Sequence, residues 1–144
     1  MIKIDYPSQD FRIKTEPEGE MIFDDLRKSW LRLTPEEWVR QNFVRFLVSR
    51  NYPRALIALE KKIMVGEMAK RFDILVYNRN HQPLMMVECK AMHVVLSEEV
   101  LHQVLRYNIA VPVKFLVITN GGNCMSFKKD GGELVSLDEF PEFE

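Results

Sequence analysis

The chain has 144 residues, of which 47% are apolar and 28% charged, with a net charge of -1; this is the balance of one globular domain and excludes disorder. No apolar run approaches bilayer-spanning length and the N-terminus lacks a basic-then-apolar signal pattern, so a cytoplasmic protein with no membrane partner is expected. Cys89 and Cys124 show no CxxC spacing, which excludes a disulfide framework and a zinc site of that kind.

Residues 1–20 mix extended "MIKIDYP" and "FRIK" with acidic "EPEGE", which reads as a surface arm or edge strand. The first clear helix begins at Thr34, where "TPEE" supplies an N-cap, a proline at the first helical position and Glu37 at the capping-box position. It is predicted to reach Ser49 or Arg50, with Val39, Phe43, Phe46 and Leu47 on one stripe for docking against a sheet. "NYP" ends it.

"RALIALEKKIM", "RFDILVYN" and "PLMMVECKA" predict three strands in a meander, joined by "VGEMAK" and "RNHQ". Both alternating faces of the second and third are apolar, as in central strands covered on each side. Ser97 caps a second helix, "SEEVLHQVLRYNIAV", with the stripe Val100, Leu101, Val104, Leu105. "VKFLVIT" is a further buried strand. "CMSFKK" and "ELVSL" straddle the Asp130-Gly131-Gly132 turn as an edge hairpin. Helix, three strands, helix, strand is the order of an α/β sandwich with a mixed sheet, and residues 1–144 read as a single domain.

Charge is unevenly spread. From Arg50 to Lys90 there are eight bases against four acids, whereas residues 130–144 hold six acids and no Lys or Arg. An acidic C-terminal segment thus follows a basic middle, which contains Lys61, Lys62, Lys70 and Arg71. A solvated asymmetry without function accounts for this on charge alone.

Three ionisable residues, Asp73, Glu88 and Lys90, interrupt the apolar strands, where buried charge is costly unless compensated. A hairpin turn centred on Asn80-His81 sets Asp73 opposite Glu88 on one face, with Cβ atoms roughly 5 Å apart, and Lys90 joins them two residues on. A preceding turn centred on Gly66-Glu67 would place Glu60 on the other side of Asp73, making a row of three carboxylates. Such a row calls for a cation, and all-oxygen ligation without His or Cys selects Mg²⁺ or Mn²⁺. Magnesium keeps positions for water and phosphate, which points to phosphodiester chemistry, with Lys90 neutralising charge in the transition state and positioning water.

Asp73, fourteen intervening residues and then Glu88-Cys89-Lys90 resemble the D...ExK signature of the PD-(D/E)XK nuclease superfamily. "RFDILVYN", "LMMVECKA", "TPEEWVRQNFVRFL", "QVLRYN" and "ITNG" are similar, in order, to the N-terminal nuclease domain of type I restriction enzyme R subunits. The resemblance implies a restriction-endonuclease-like α/β core, its mixed sheet flanked by helices on both faces, and a metal-dependent DNA endonuclease with Asp73 and Glu88 as metal ligands and Lys90 as catalytic lysine. Gln103 and Tyr107 match the superfamily's Q-x-x-x-Y pattern and are supporting candidates on one helix face, as are Glu60 and Glu37. Lys61, Lys62, Lys70 and Arg71 are the candidate contacts to double-stranded DNA. No Walker A sequence occurs, so no ATP-driven motor is expected; restriction-complex subunits would act in trans, and a homodimer would double the basic surface.

Each residue also has a plainer reading. A structural ion-pair network would satisfy one of the two acids but leave the other short of a partner. Glu60 has Lys62 and Arg71 as surface partners, "TPEE" explains Glu37 by capping alone, Gln103 suits any polar helix face, and Tyr107 any half-buried position. His81, His93 and His102 share no metal-binding spacing. The competing functions are a non-catalytic DNA-binding or assembly module of a restriction-type complex, and a repair or RNA nuclease on the same fold.

Overall fold

A computed structural model describes residues 1–6, 11–108 and 110–143, with the backbone but not the side chain of Tyr107. In chain order the elements are β1 (Ile2–Lys3), β2 (Ile13–Glu16), β3 (Gly19–Asp24), β4 (Ser29–Arg32), α1 (Pro35–Ser49), one 3₁₀ turn (Arg54–Leu56), β5 (Ile57–Val65), β6 (Met68–Tyr77), β7 (Pro83–Cys89), α2 (Glu98–Asn108), β8 (Phe115–Thr119), β9 (Asn123–Asp130) and β10 (Glu133–Leu137).

The two helices follow their sequence signals. The Thr34 hydroxyl accepts from the Glu37 backbone N–H at 3.0 Å, and Val39, Phe43, Phe46 and Leu47 are buried as the stripe requires. After Ser49 the chain turns at Asn51, whose φ is +69°. Ser97 caps α2 from the Val100 N–H at 3.3 Å. This helix stops at Asn108 instead of reaching Val111, because the Asn108 side chain returns to the Val104 carbonyl and its own carbonyl takes the Val111 N–H.

The main sheet runs β1-β9-β8-β7-β6-β5, with β10 also on β9. The meander β5-β6-β7 is antiparallel, β7 and β8 are parallel across α2, and β8-β9-β10 returns antiparallel, so the sheet is mixed. Residues 1–20 do contribute an edge strand, β1. The remainder of that segment does not stay an arm, however: Ile13–Arg32 forms a separate three-stranded antiparallel sheet, β2-β3-β4, in which "EPEGE" is the β2–β3 turn. That sheet's signal was hidden because β2 and β4 are only four residues each and the sheet lacks the apolar-polar alternation that marks a half-buried strand.

Two apolar clusters form around the main sheet. One joins Ile74, Val76, Met85 and Val87 to Val39, Phe43 and Leu47 of α1. The other joins Leu75, Met86, Leu116 and Ile118 to Val104, with Val100, Leu101 and Leu105 of α2 packed against it. Strand residues of alternate parity divide between the clusters, as a period of two demands. Leu84 departs from this by joining the α1 cluster, because the β6–β7 register shifts beside it, between Val76 and Tyr77.

The ladder between β6 and β7 pairs Ile74 with Val87, Leu75 with Met86 and Val76 with Met85, the register the Asn80-His81 turn predicts. Between β5 and β6 the pairs run from Ile57–Val76 to Val65–Met68, so "VGEMAK" is a tight Gly66-Glu67 turn with Gly66 at φ +64°. The β5–β6 ladder skips one pair, Glu60 and Asp73, and there Glu60 takes φ +49°. The strand period slips at the same point: Leu59 and Ile74 pack in the α1 cluster, Ile63 and Phe72 in the other. Because the β6–β7 pairs begin at Ile74, residues 68–72 are paired through β5 alone, and a fork opens at Asp73. No helix of the described residues is long and apolar enough to cross a membrane.

Phe43 is fully buried among Phe46 and Phe140 rings. Phe43→Ala is expected to lower unfolding stability by about 3–5 kcal/mol in urea denaturation. Ile13→Ala, at an exposed position, should stay within about 0.5 kcal/mol of wild type.

Candidate active site

The fork is closed by the Asp73 side chain. Where the ladder lapses, its Oδ2 accepts the Cys89 backbone N–H at 2.8 Å, so the carboxylate stands in for a missing strand-to-strand bond and is pinned by β7 itself. Its Oδ1 accepts from Arg40 Nη2 at 3.0 Å. Arg40 reaches over from α1, and its Nη1 also donates to Glu37 Oε1 at 2.6 Å and lies 3.1 Å from Glu60 Oε1. Glu36 Oε1 is 3.9 Å from Nη2.

A second arginine completes this network. Arg27, in the β3–β4 turn, donates to Glu37 Oε2 at 2.9 Å, pairs with Asp24 and lies 3.7 Å from Glu60. Gln41 adds a donor to Glu37 Oε2 at 2.9 Å. Burial would draw the Arg40 pKa down, but Glu37 and Asp73 overcome that and the group is held charged. Arg40 Nε is buried without a partner. Two guanidiniums thus meet four carboxylates at 3.7 Å or less, those of Asp24, Glu37, Glu60 and Asp73, with Glu36 as a fifth at 3.9 Å, and a negative excess is left over.

Glu88 adds to that excess. It shares the parity of Met86 and borders a cleft of about 600 Å³ lined also by Met68, Lys70, Lys90, Gln103 and Arg106. Burial first, then repulsion from Asp73, pushes its pKa up to about 7; Lys90 and Arg40 pull the other way, and Glu36 adds to the rise. Among the described residues no ion pair at contact distance engages Glu88 or Lys90. Lys90 follows the end of β7, its backbone N–H bonded to the Thr119 carbonyl at 2.7 Å. It therefore stands at the carboxyl end of the parallel β7–β8 pair, where open α/β sheets offer their binding crevice. Cys89, fully buried, has its thiol pKa raised well above normal by burial and by Asp73, so it is no thiolate.

Asp73, Glu88 and Lys90 are thus electrostatic neighbours around one fork, and Gln103 lines the same cleft. The side chain of Tyr107 lies outside the described residues. The row of three carboxylates does not form: the left-handed turn at Glu60 breaks the strand, and this acid meets Arg27 and Arg40 instead of Lys62 or Arg71. No set of three or more His, Cys, Asp or Glu among the described residues is arranged to hold a metal ion. Glu37 is more than a capping acid, since its backbone N–H is capped while its carboxylate serves Arg27, Arg40 and Gln41. The basic candidates divide. Lys62 stands opposite Arg71, both exposed, and Lys61 is exposed beside Lys62, whereas Lys70 is buried opposite Ile63 and borders the cleft.

Arg40, Arg27, Glu36 and Arg106 did not stand out in the sequence. Arg40 had a signal, since it follows Glu36 and Glu37 at the i+4 and i+3 spacings of a helical ion pair. Arg27 had none, because its role depends on how the small sheet docks.

With this geometry in hand, comparison with known families is informative. A family model described as Type I restriction enzyme R protein N terminus (HSDR_N) matches residues 35–141. No curated protein matches the chain.

The Glu88 pKa sets a sign for stability. A carboxyl whose folded pKa of about 7 exceeds its ordinary 4.5 keeps a proton that the unfolded chain releases. Its contribution is therefore full below the lower value and lost as pH rises through the upper one, a loss of about 3 kcal/mol. In chelator, Glu88→Gln is expected to melt like wild type near pH 4.5 and to be more stable by up to that amount at about pH 8. A constant difference between the two proteins across this range would contradict the assignment.

Proposed function

The chain belongs to the type I restriction enzyme R protein N-terminal family, and from that premise we propose that it is a metal-dependent DNA endonuclease domain of the PD-(D/E)XK type. Its core is then restriction-endonuclease-like, with α1 and α2 on opposite faces of the mixed sheet. The two separate apolar clusters, one with each helix, support that arrangement.

The observation that carries the reading is the uncompensated negative charge at the fork. Among the described residues Glu88 has no ion-pair partner at contact distance, and it has a pKa near 7 and Asp73 as neighbour; perturbed groups of this kind in a cleft mark functional sites. The donor set fits a hard cation. Magnesium needs only one or two carboxylates and leaves its remaining positions to water and phosphate, and each Asp73 oxygen, with one hydrogen bond taken, keeps a lone pair. Asp73 and Glu88 would hold Mg²⁺ or Mn²⁺, which when bound supplies Lewis-acid polarisation of a phosphodiester oxygen.

The chain's own groups do the rest. Cys89 N–H and Arg40 fix the Asp73 carboxylate in one orientation. Lys90 carries its charge into the cleft, where it stabilises the developing negative charge of a phosphorane-like transition state and orients the attacking water. Gln103, Lys70 and Arg106 line the approach and suit the phosphates of a DNA strand, while Lys61, Lys62 and Arg71 lie on the exposed β5–β6 hairpin as a further backbone contact. Subunits of a restriction-type complex would act in trans, and cleavage of both strands suits a homodimer.

The Arg40–Asp73 pair favours a second reading. It compensates Asp73 without any ion, as a non-catalytic DNA-binding or assembly module would require.

Plasmid incubated with Mg²⁺ should be nicked by wild type, and Lys90→Ala should be slower by about 10²–10³; equal nicking by both would remove Lys90 from the reaction. Mg²⁺ at about pH 8 should also raise the melting temperature of wild type but not of Glu88→Gln, because ligand binding to the folded state stabilises it. Absence of any metal-induced shift, with both acids intact, would favour the module.

A further inference from the structure

The small sheet β2-β3-β4 has two unlike faces. Ile22 is fully buried on one of them. Phe11, of the same parity as Ile13 opposite Ile22, stacks on Trp38 of α1 with ring centres 5.0 Å apart, so this face is turned toward the body of the protein. The alternate parity places Arg12, Lys14, Met21, Phe23, Trp30 and Arg32 together on the outward face. Lys14, Met21 and Arg32 form one cross-strand row. Phe23 and Trp30 are opposed in the next, where the Phe23 N–H also bonds the Arg12 carbonyl.

The contents of this face are unusual for solvent. Phe23 and Trp30 meet edge to face at 5.4 Å. The Arg12 guanidinium sits 4.4 Å from the Phe23 ring centre and 5.5 Å from that of Trp30, and the Lys14 ammonium 4.4 Å from Trp30. Two exposed cations thus sit over two half-buried rings, and a third, Arg32, shares the face with its guanidinium donating to the Glu18 carbonyl at 3.0 Å. Glu16 is the one acid of the same parity on β2, 3.1 Å from Lys14.

We infer that this outward face binds single-stranded nucleic acid. Cations held over rings are fixed in place by their cation–π contacts, which reduces the entropy lost when they meet a phosphate. Aromatic rings and a planar guanidinium on a flat sheet are stacking platforms for unpaired bases, and the positive excess complements the backbone. Duplex DNA hides its base faces and would engage the cations alone. Arg27 links this sheet to the fork by tying the β3–β4 turn to Glu37 and Glu60.

The test is fluorescence anisotropy of a labelled oligothymidylate titrated with the full chain in chelator. Wild type is expected to bind it. Trp30→Ala should weaken oligothymidylate binding by about tenfold or more, and Arg12→Glu with Lys14→Glu should do so while keeping both rings. Circular dichroism confirms that each variant is folded, and the charge-reversed pair carries the test if Trp30→Ala is not. No binding by wild type, or unchanged binding by the folded variants, overturns the inference. Because chelator and intact fork residues take cleavage out of the measurement, a failure of the nuclease reading leaves this result unaffected.

Discussion

One contact organises the site: the Asp73 carboxylate spans β6, β7 and α1 at once, held by the Cys89 backbone N–H and by Arg40. A side chain that substitutes for a ladder bond is possible only where two strands part. They part at the point where, on the other side of β6, Glu60 turns left-handed and the pairing across from Asp73 is skipped. Local backbone strain of about 1–3 kcal/mol at such a residue persists only when the surroundings over-determine it. Here the compensation is visible, since the same residue places its carboxylate against Arg40 and Arg27. The irregularity that costs sheet regularity also supplies the acid that steadies both arginines.

Buried charge explains the rest of the arrangement. An isolated ion pair in a protein interior seldom repays its desolvation, and a chain selecting for stability alone would fill this space with apolar side chains. Instead, two arginines from separate elements hold carboxylates from β3, α1, β5 and β6, and Glu88 stands beside them without an ion-pair partner at contact distance among the described residues. The arginines reduce the repulsion among these acids to a level the fold can carry, but they do not cancel it. A site left partly negative retains affinity for a cation, whereas a fully neutralised one would not.

Much of this was legible in the sequence and some was not. Turn residues and strand parity gave the β6–β7 register, because period-two geometry propagates reliably from a short loop, and "TPEE" gave the start of α1. The nearness of Asp73, Glu88 and Lys90 was legible from that register, although the pairs end at Ile74 and Val87 and the Asp73 carboxylate, bonded to the Cys89 N–H, joins the strands beyond them. The three-carboxylate row was not a sound extrapolation. Constant register places residues opposite one another, yet it says nothing about a backbone that turns left-handed at one of them, as Glu60 does. The small sheet went unseen because its outward residues are aromatic and cationic instead of alternating apolar and polar. Arg27 could be placed only by the docking of that sheet on α1.

Arg40 and Lys90 show why two cations near the same acids are not interchangeable. Arg40 is buried, committed to three carboxylates through a planar fork, and held charged by them; its geometry suits orientation. Lys90 lines the cleft, and no ion pair at contact distance holds it among the described residues. Its ammonium is a point charge on a flexible stem, able to follow a charge that moves as bonds rearrange. Exchanging the two would leave the net charge of the site the same while fixing the mobile cation and freeing the one that holds Asp73. The two cations differ in the element that carries each: a helix packed over the fork for Arg40, and the end of β7, open to the cleft, for Lys90.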